Sequence, residues 1–163
     1  MKDLVSKDNK KVVAALDKAD ASGDINTVQP LLHAFRDRKE DSIRDRMRTM
    51  LSSIKISDAE RVFVEELENS ESEAIQADIL GFIWSSGFDS SEKLDLISRI
   101  ATNGDFRAAM EGLTIIEQCE GVENEQVLLE ATLNLRTAID SCDDDALRAM
   151  YQSMLEALLL LDK

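Results

Sequence analysis

The side chains with the greatest capacity for chemistry in this chain are few: one histidine, His33, and two cysteines, Cys119 and Cys142. A single imidazole cannot supply a two-histidine metal site or an HExxH helix. Any Ser–His–Asp arrangement would have to use His33, and no serine sits in a Gly-x-Ser-x-Gly elbow. Neither a GxGxxG turn nor a P-loop is present to cradle a phosphate. Cys119 is flanked by Glu117 and Glu120, and Cys142 by a run of aspartates. Such neighbours disfavour the thiolate, the opposite of what a nucleophilic cysteine needs. Asp140, Asp143, Asp144 and Asp145 form the densest acidic turn. Hard cations take carboxylate oxygens, but the spacing is not that of an EF-hand loop and its turn glycine is absent. Carboxylates at a helix N-terminus gain about 0.3–1 kcal/mol each, so residues 143–145 read first as helix caps. Pairs such as Glu65–Glu66 and Glu120–Glu123 arise readily in a chain with 33 acidic residues. The expectation is a protein with no catalytic residue, no cofactor and no metal centre.

The elements that carry these residues are helical. Over 163 residues, six Gly and one Pro are too few for an all-β chain of tight turns, while 44% hydrophobic residues suffice for a real core. Apolar residues recur at three- and four-residue spacing. The spacing predicts helices over about 8–21, 25–37, 40–55, 58–69, 72–86, 90–102, 105–119, 124–140 and 143–161. Ser57 with Glu60 and Ser70 with Glu73 read as capping boxes, and Asp89 with Glu92 and Ser141 with Asp144 as looser versions. Pro30 falls inside the second helical pattern and predicts a kink there.

Charge is unevenly spread. The chain carries a formal −14, but residues 1–56 hold 12 basic and 9 acidic side chains whereas residues 57–163 hold 7 and 24. The start is mildly basic and the remainder strongly acidic, which disfavours nucleic acid and anionic membrane surfaces as partners. Two cysteines in no zinc spacing, an apolar run no longer than Ala157–Leu161 and no secretory-type apolar segment at the N-terminus lead to the expectation of a cytoplasmic protein.

Written under one another, the helices show an internal period. Ile43-Arg44 opens a helix continued inward by Met47, Leu51 and Ile54. Ile75-Gln76 opens the next, continued by Ile79, Phe82 and Ile83, and Phe106-Arg107 the one after, continued by Met110 and Leu113. Gly81 and Gly112 fall in register in mid-helix, where Gly costs about 1 kcal/mol against Ala, so neighbouring backbones should approach closely there. A fourth copy begins at Leu147-Arg148. Two-helix units of this kind cannot bury an apolar face alone and should stack.

Gly23-Asp24, Val28, Pro30-Leu31-Leu32, Ala34-Phe35, Asp37 and Ile43-Arg44, followed by Met47, Leu51 and Ile54, resemble a HEAT repeat. Residues 56–86 resemble a second copy, with Asn69 and Gln76 where the family has Asp and Arg; residues 88–119 resemble a third, keeping Arg107. The resemblance implies an all-α, right-handed α-solenoid of antiparallel helix pairs, about three to four repeats, within a single domain over 1–163. Residues 1–23 would form a capping helix, and 24–55, 56–87, 88–121 and 122–163 the pairs. It also implies a binding scaffold, with Asp37 and Arg44 in an ion-pair ladder.

The segment 36–48 holds six cations against four anions in interleaved order, which suggests intramolecular pairs worth about 0.2–1 kcal/mol each when exposed. Because some HEAT-like solenoids are DNA glycosylases, an alternative is a nucleic-acid-processing enzyme using Arg44, Arg46 and Trp84. A lyase-like or chaperone-like assembly factor with a hydrophobic groove is a third reading. Phe82-Ile83-Trp84 reads as core. The leucines Leu158, Leu159, Leu160 and Leu161 cover every face of a helix turn. Leu158, Leu160 and Leu161 are therefore the candidate partner-binding residues, through a protein partner or a homodimer at the C-terminal helix. The leading expectation is a non-enzymatic scaffold for a protein partner with a basic surface, with neither nucleic acid nor membrane as partner.

Overall fold

The computed structural model describes residues 2–162, and every regular element among them is helical. The nine α-helices among these residues are α1 (Asn9–Ser22), α2 (Val28–Asp37), α3 (Asp41–Ser52), α4 (Ala59–Leu67), α5 (Gln76–Ser86), α6 (Leu94–Asn103), α7 (Phe106–Gln118), α8 (Glu125–Ser141) and α9 (Asp145–Leu159). Each lies on a segment predicted from apolar spacing. The differences are at the boundaries: at the starts, three-residue-per-turn segments at Ile25–Thr27, Ser70–Ile75 and Ser91–Lys93 precede α2, α5 and α6, and α3 ends at Ser52, which leaves Ile54 outside the helix it was expected to continue. Among the described residues no helix is long and apolar enough to cross a membrane.

Pro30 explains one of these starts. It is the third residue of α2, so its missing N–H falls in the first turn, where no intrahelical partner exists for it. Pro30 was expected inside the helix, where it would kink it; instead α2 begins at Val28, after the tight turn at Ile25–Thr27, so the proline falls in the first turn. Asp8, Asp105, Asn124 and Asp144 cap α1, α7, α8 and α9 by accepting from the backbone N–H of Lys10, Ala108, Gln126 and Leu147 at 2.9–3.0 Å. Where Ser70 was the expected cap, Asn69 Oδ1 accepts from the Glu71 N–H at 3.0 Å, and Ser70 itself lies in the tight turn. Gly23 ends α1 with φ +57, a left-handed value that any side chain would strain, and returns its N–H to the Ala19 carbonyl.

The sequence predicts one domain over 1–163; contacts divide the chain into two compact units, Met1–Ile75 and Gln76–Lys163. In the first, α1 packs on α3, and α2 on both α3 and α4. Its buried side chains include Val12, Leu16, Leu32, Phe35, Met47, Leu51, Phe63 and Leu67, each fully covered. In the second, α7 packs on α5, α6 and α9, and α8 on α6 and α9. Its buried side chains include Ile79, Leu80, Ile83, Leu94, Ile97, Ala109, Leu135, Met154 and Leu158. A fully buried aliphatic side chain contributes about 1.5–3 kcal/mol, so these two sets hold their units together.

The 32-residue register breaks at α7. Ile43 and Ile75 are buried, but Phe106, their expected equivalent, is 48% exposed and Met110 45%. Ala108, Ala109 and Gly112 take the inward positions, because small side chains let α7 approach its neighbours closely. A Cβ on Gly112 would lie 2.7 Å from the Ala101 Cβ of α6 and 3.1 Å from the Met154 Cε of α9. Gly81, its partner in the sequence register, faces the Glu111 carboxylate at 3.3–3.4 Å rather than a backbone.

Candidate functional site

A strongly acidic concavity lies in the second unit. Asp89 and Glu92 come from the chain entering α6, Glu120 and Glu123 from the α7–α8 loop, Glu125 from the first residue of α8, and Asp162 from the segment after α9; together they line a groove of about 670 Å³. Val122 and Leu128 supply its apolar wall, and among the described residues no Lys or Arg lines it. Local bonds set these segments in place. Asp89 Oδ1 accepts from the Ser91 N–H at 3.1 Å, Asn124 caps α8, and the Val122 N–H donates to the Leu161 carbonyl at 3.3 Å. Carboxylates of one sign gathered in a cleft focus a negative potential.

The helix beside this groove has an unusual outer face. α8 is oriented by Asn134, whose Nδ2 donates to the Asp95 carbonyl at 3.0 Å and the Ser98 hydroxyl at 3.1 Å on α6. Ala131 and Leu135 are fully buried beneath it. Its exposed positions include Glu125, Gln126, Glu130, Arg136, Thr137 and Asp140, and in their midst Leu129 and Leu133, each 53% exposed. Glu125, Leu129 and Leu133 are four residues apart and share one face.

The first unit holds a polar cluster centred on Glu66 of α4, only 3% exposed. The Ser72 hydroxyl donates to its Oε1, Asn69 Nδ2 donates to the same oxygen at 2.9 Å, and His33 Nε2 of α2 lies 3.2 Å from Oε2. Burial by itself pushes the Glu66 carboxyl up, but the hydrogen bonds from Ser72, His33 and Asn69 and the nearby His33 charge outweigh it, leaving it below the usual glutamate value. Arg36 extends the cluster to Asp37 at 2.7 Å and Glu71 at 3.3 Å. This is not a nucleophile-activating arrangement. The Ser72 hydroxyl donates its hydrogen bond to the carboxylate rather than to the imidazole, and its side chain is fully buried.

A second cluster joins α5 to α7. Arg107 Nη2 donates to the buried Asp78 at 2.8 Å, and Arg107 lies 3.6 Å from Glu111. The Trp84 indole N–H donates to the other Glu111 oxygen at 2.5 Å, and the same carboxylate lies over Gly81.

The residues of the nucleic-acid reading are otherwise engaged. Arg44 Nε donates to the Phe35 carbonyl at 3.1 Å with its guanidinium 4.3 Å from the Phe35 ring, Arg46 pairs with Asp17, and Trp84 is held by Glu111. Arg44 and Arg46 belong to one unit and Trp84 to the other. Of the two residues expected in an ion-pair ladder, Asp37 pairs with Arg36, the guanidinium nearest in sequence.

The leucine surface also needs correction. Leu158 is fully buried and Leu161 is 7% exposed, whereas Leu159 and Leu160 are 47% and 80% exposed. α9 ends at Leu159, and Leu161 donates to the Leu158 carbonyl at 3.0 Å in a tighter turn that brings the two leucines to one side. Of the three predicted partner-binding leucines only Leu160 is available to a partner. Among the acidic turn residues, Asp144 caps α9 and Asp145 pairs with Arg148 at 3.0 Å, and no three His, Cys, Asp or Glu side chains among the described residues group to hold a metal ion. The Cys119 thiol is pushed up to about 11, first by burial and then by Asp89, not by the glutamates beside it in sequence.

Sequence reasoning missed Leu129 and Leu133. The run Val127, Leu128, Leu129, Ala131, Leu133, Leu135, Ala138 and Ile139 covers more than one helical stripe, so periodicity alone does not mark which of them face water. No family model, curated protein or solved structure matches the chain.

Proposed function

We propose that this protein is a non-enzymatic helical scaffold for a protein partner that presents a basic surface. The groove lined by six carboxylates from four separate segments, with no cation lining it among the described residues, carries this reading. An acidic cleft accelerates encounter with a basic partner and rejects acidic ones. The architecture is read as a HEAT-like solenoid with irregular repeats. Alternate helices are neighbours within each unit: α1 with α3 and α2 with α4, then α5 with α7, α7 with α9, and α6 with α8. That is the neighbour pattern of stacked helix pairs, although Phe106 shows that the repeats do not share one register.

Titration calorimetry with a lysine-rich helical peptide and its glutamate-rich counterpart, over a salt series, tests the reading. The expected result is binding of the basic peptide alone, weakening steeply with salt. Equal affinity for both peptides, or salt-insensitive binding, overturns it.

One observation favours a second reading, the assembly factor that grips apolar ligands. In the first unit Val28, Leu31, Met50, Ile54 and Ile56 line a groove of about 380 Å³, at the wall of which the buried Thr27 hydroxyl has no partner. An apolar fluorescent probe displaced by apolar peptides, with no effect of salt, would favour this reading over the scaffold.

A further inference from the structure

We infer that the docking site for this partner is the outer face of α8 together with the acidic groove at its start, and that the partner presents a basic amphipathic helix. The inference rests on the scaffold reading above and assigns its surface. Leu129 and Leu133, each 53% exposed and one turn apart, form a short apolar ridge on a helix already fixed from beneath by Ala131, Leu135 and the Asn134 bonds to α6. The α6–α8 interface is held by these buried groups, while Leu129 and Leu133 each keep 53% of their surface open to solvent.

The surroundings of the ridge choose the occupant. Glu125 lies one turn before Leu129 on the same face and also lines the groove, where Asp89, Glu92, Glu120, Glu123 and Asp162 add five further carboxylates. Glu130, bonded to Gln126 at 2.6 Å, flanks the ridge on its other side. Residues 76–163 hold 17 acidic side chains against 6 basic, so a second copy laid on this face would bring its own carboxylates into the groove. A helix with apolar anchors at i and i+4, and Lys or Arg one turn beyond them, matches both halves of the surface: anchors on the leucines, cations in the groove.

The test uses the full chain and two synthetic peptides of about 16 residues, long enough to form a helix when bound. Both have the same Lys and Leu content; one gathers its leucines on a single face and the other scatters them around the helix. The expected result is tighter binding of the patterned peptide, with Leu129→Gln/Leu133→Gln reducing its affinity by about tenfold per leucine and Leu160→Gln having no effect. Far-UV circular dichroism and an unchanged midpoint of denaturation confirm that the exposed substitutions leave the fold intact. Equal affinity for the two peptides, or an unaffected double variant, overturns the assignment to α8 while leaving the scaffold reading standing. Failure of both peptides to bind removes both. If light scattering shows a dimer that the double variant dissolves, the occupant is a second copy and the basic-helix assignment is wrong.

Discussion

Gly81 and Gly112 occupy the same register position in the sequence and meet different neighbours, so the same substitution at each should have different consequences. In mid-helix, Ala is favoured over Gly by about 1 kcal/mol. At position 112 the new Cβ would lie 2.7 Å from the Ala101 Cβ and 3.1 Å from the Met154 Cε. The methionine end can rotate away, but the alanine methyl is fixed to the α6 backbone, so α6 and α7 must separate. Overpacking of this kind costs about 1–3 kcal/mol, which exceeds the propensity gain over most of that range; Gly112→Ala should be destabilising by up to about 2 kcal/mol. At position 81 the neighbour is the Glu111 carboxylate at 3.3–3.4 Å, the movable end of a long side chain. Gly81→Ala should therefore change stability by less than about 1 kcal/mol, because the helix gain offsets a weakened bond between Trp84 and Glu111. Trp84 is the sole tryptophan, and it lies in the unit that both substitutions perturb. Urea unfolding followed by its fluorescence reports the midpoint, and its native emission reports the indole bond. Gly81→Ala should shift the emission and Gly112→Ala the midpoint. A Gly112→Ala protein about 1 kcal/mol more stable than the parent would refute the reasoning, since the whole helix-propensity gain would then appear and α6 and α7 would have moved apart at no cost.

Two further outcomes follow from the clusters and the leucines. Glu66→Gln replaces an acceptor-only group that receives Ser72, Asn69 and His33 with one whose NH₂ must face a donor; the loss should be about 2 kcal/mol at neutral pH. Because the folded Glu66 value lies below the unfolded one, its contribution is complete above the unfolded value of about 4.3 and is lost as pH falls through the folded value. The stability gap between parent and Glu66→Gln, measured by urea unfolding, should accordingly narrow in acid; a gap that does not change with pH would show that the charge plays no part. Leu158→Ala should cost about 2–5 kcal/mol and Leu160→Ala less than about 0.5, a comparison that thermal unfolding of the two variants decides.

Local chemistry already located the helices. Three- and four-residue apolar spacing, Asp and Asn caps, and Gly23 after α1 depend on neighbours within a turn or two, so the sequence carries them almost whole. The scarcity of chemistry was likewise legible, since one histidine and two cysteines bound what can be assembled. The facing of each side chain was less so. Phe106 is more apolar than Ala108 or Ala109, yet it points outward because close approach of α7 to α6 and α9 favours the smaller residues. In Leu158–Leu161 every residue is the same, so no pattern of types separates the two buried members from the two exposed; the tightening of the last turn does. The acid-lined groove gathers Asp89, Glu120, Glu125 and Asp162 from positions up to 73 residues apart. Sequence records how many charges a chain has and roughly in which half, but the sharing of one cleft is a property of helix packing and of the Leu161–Val122 bond that brings the chain back upon itself.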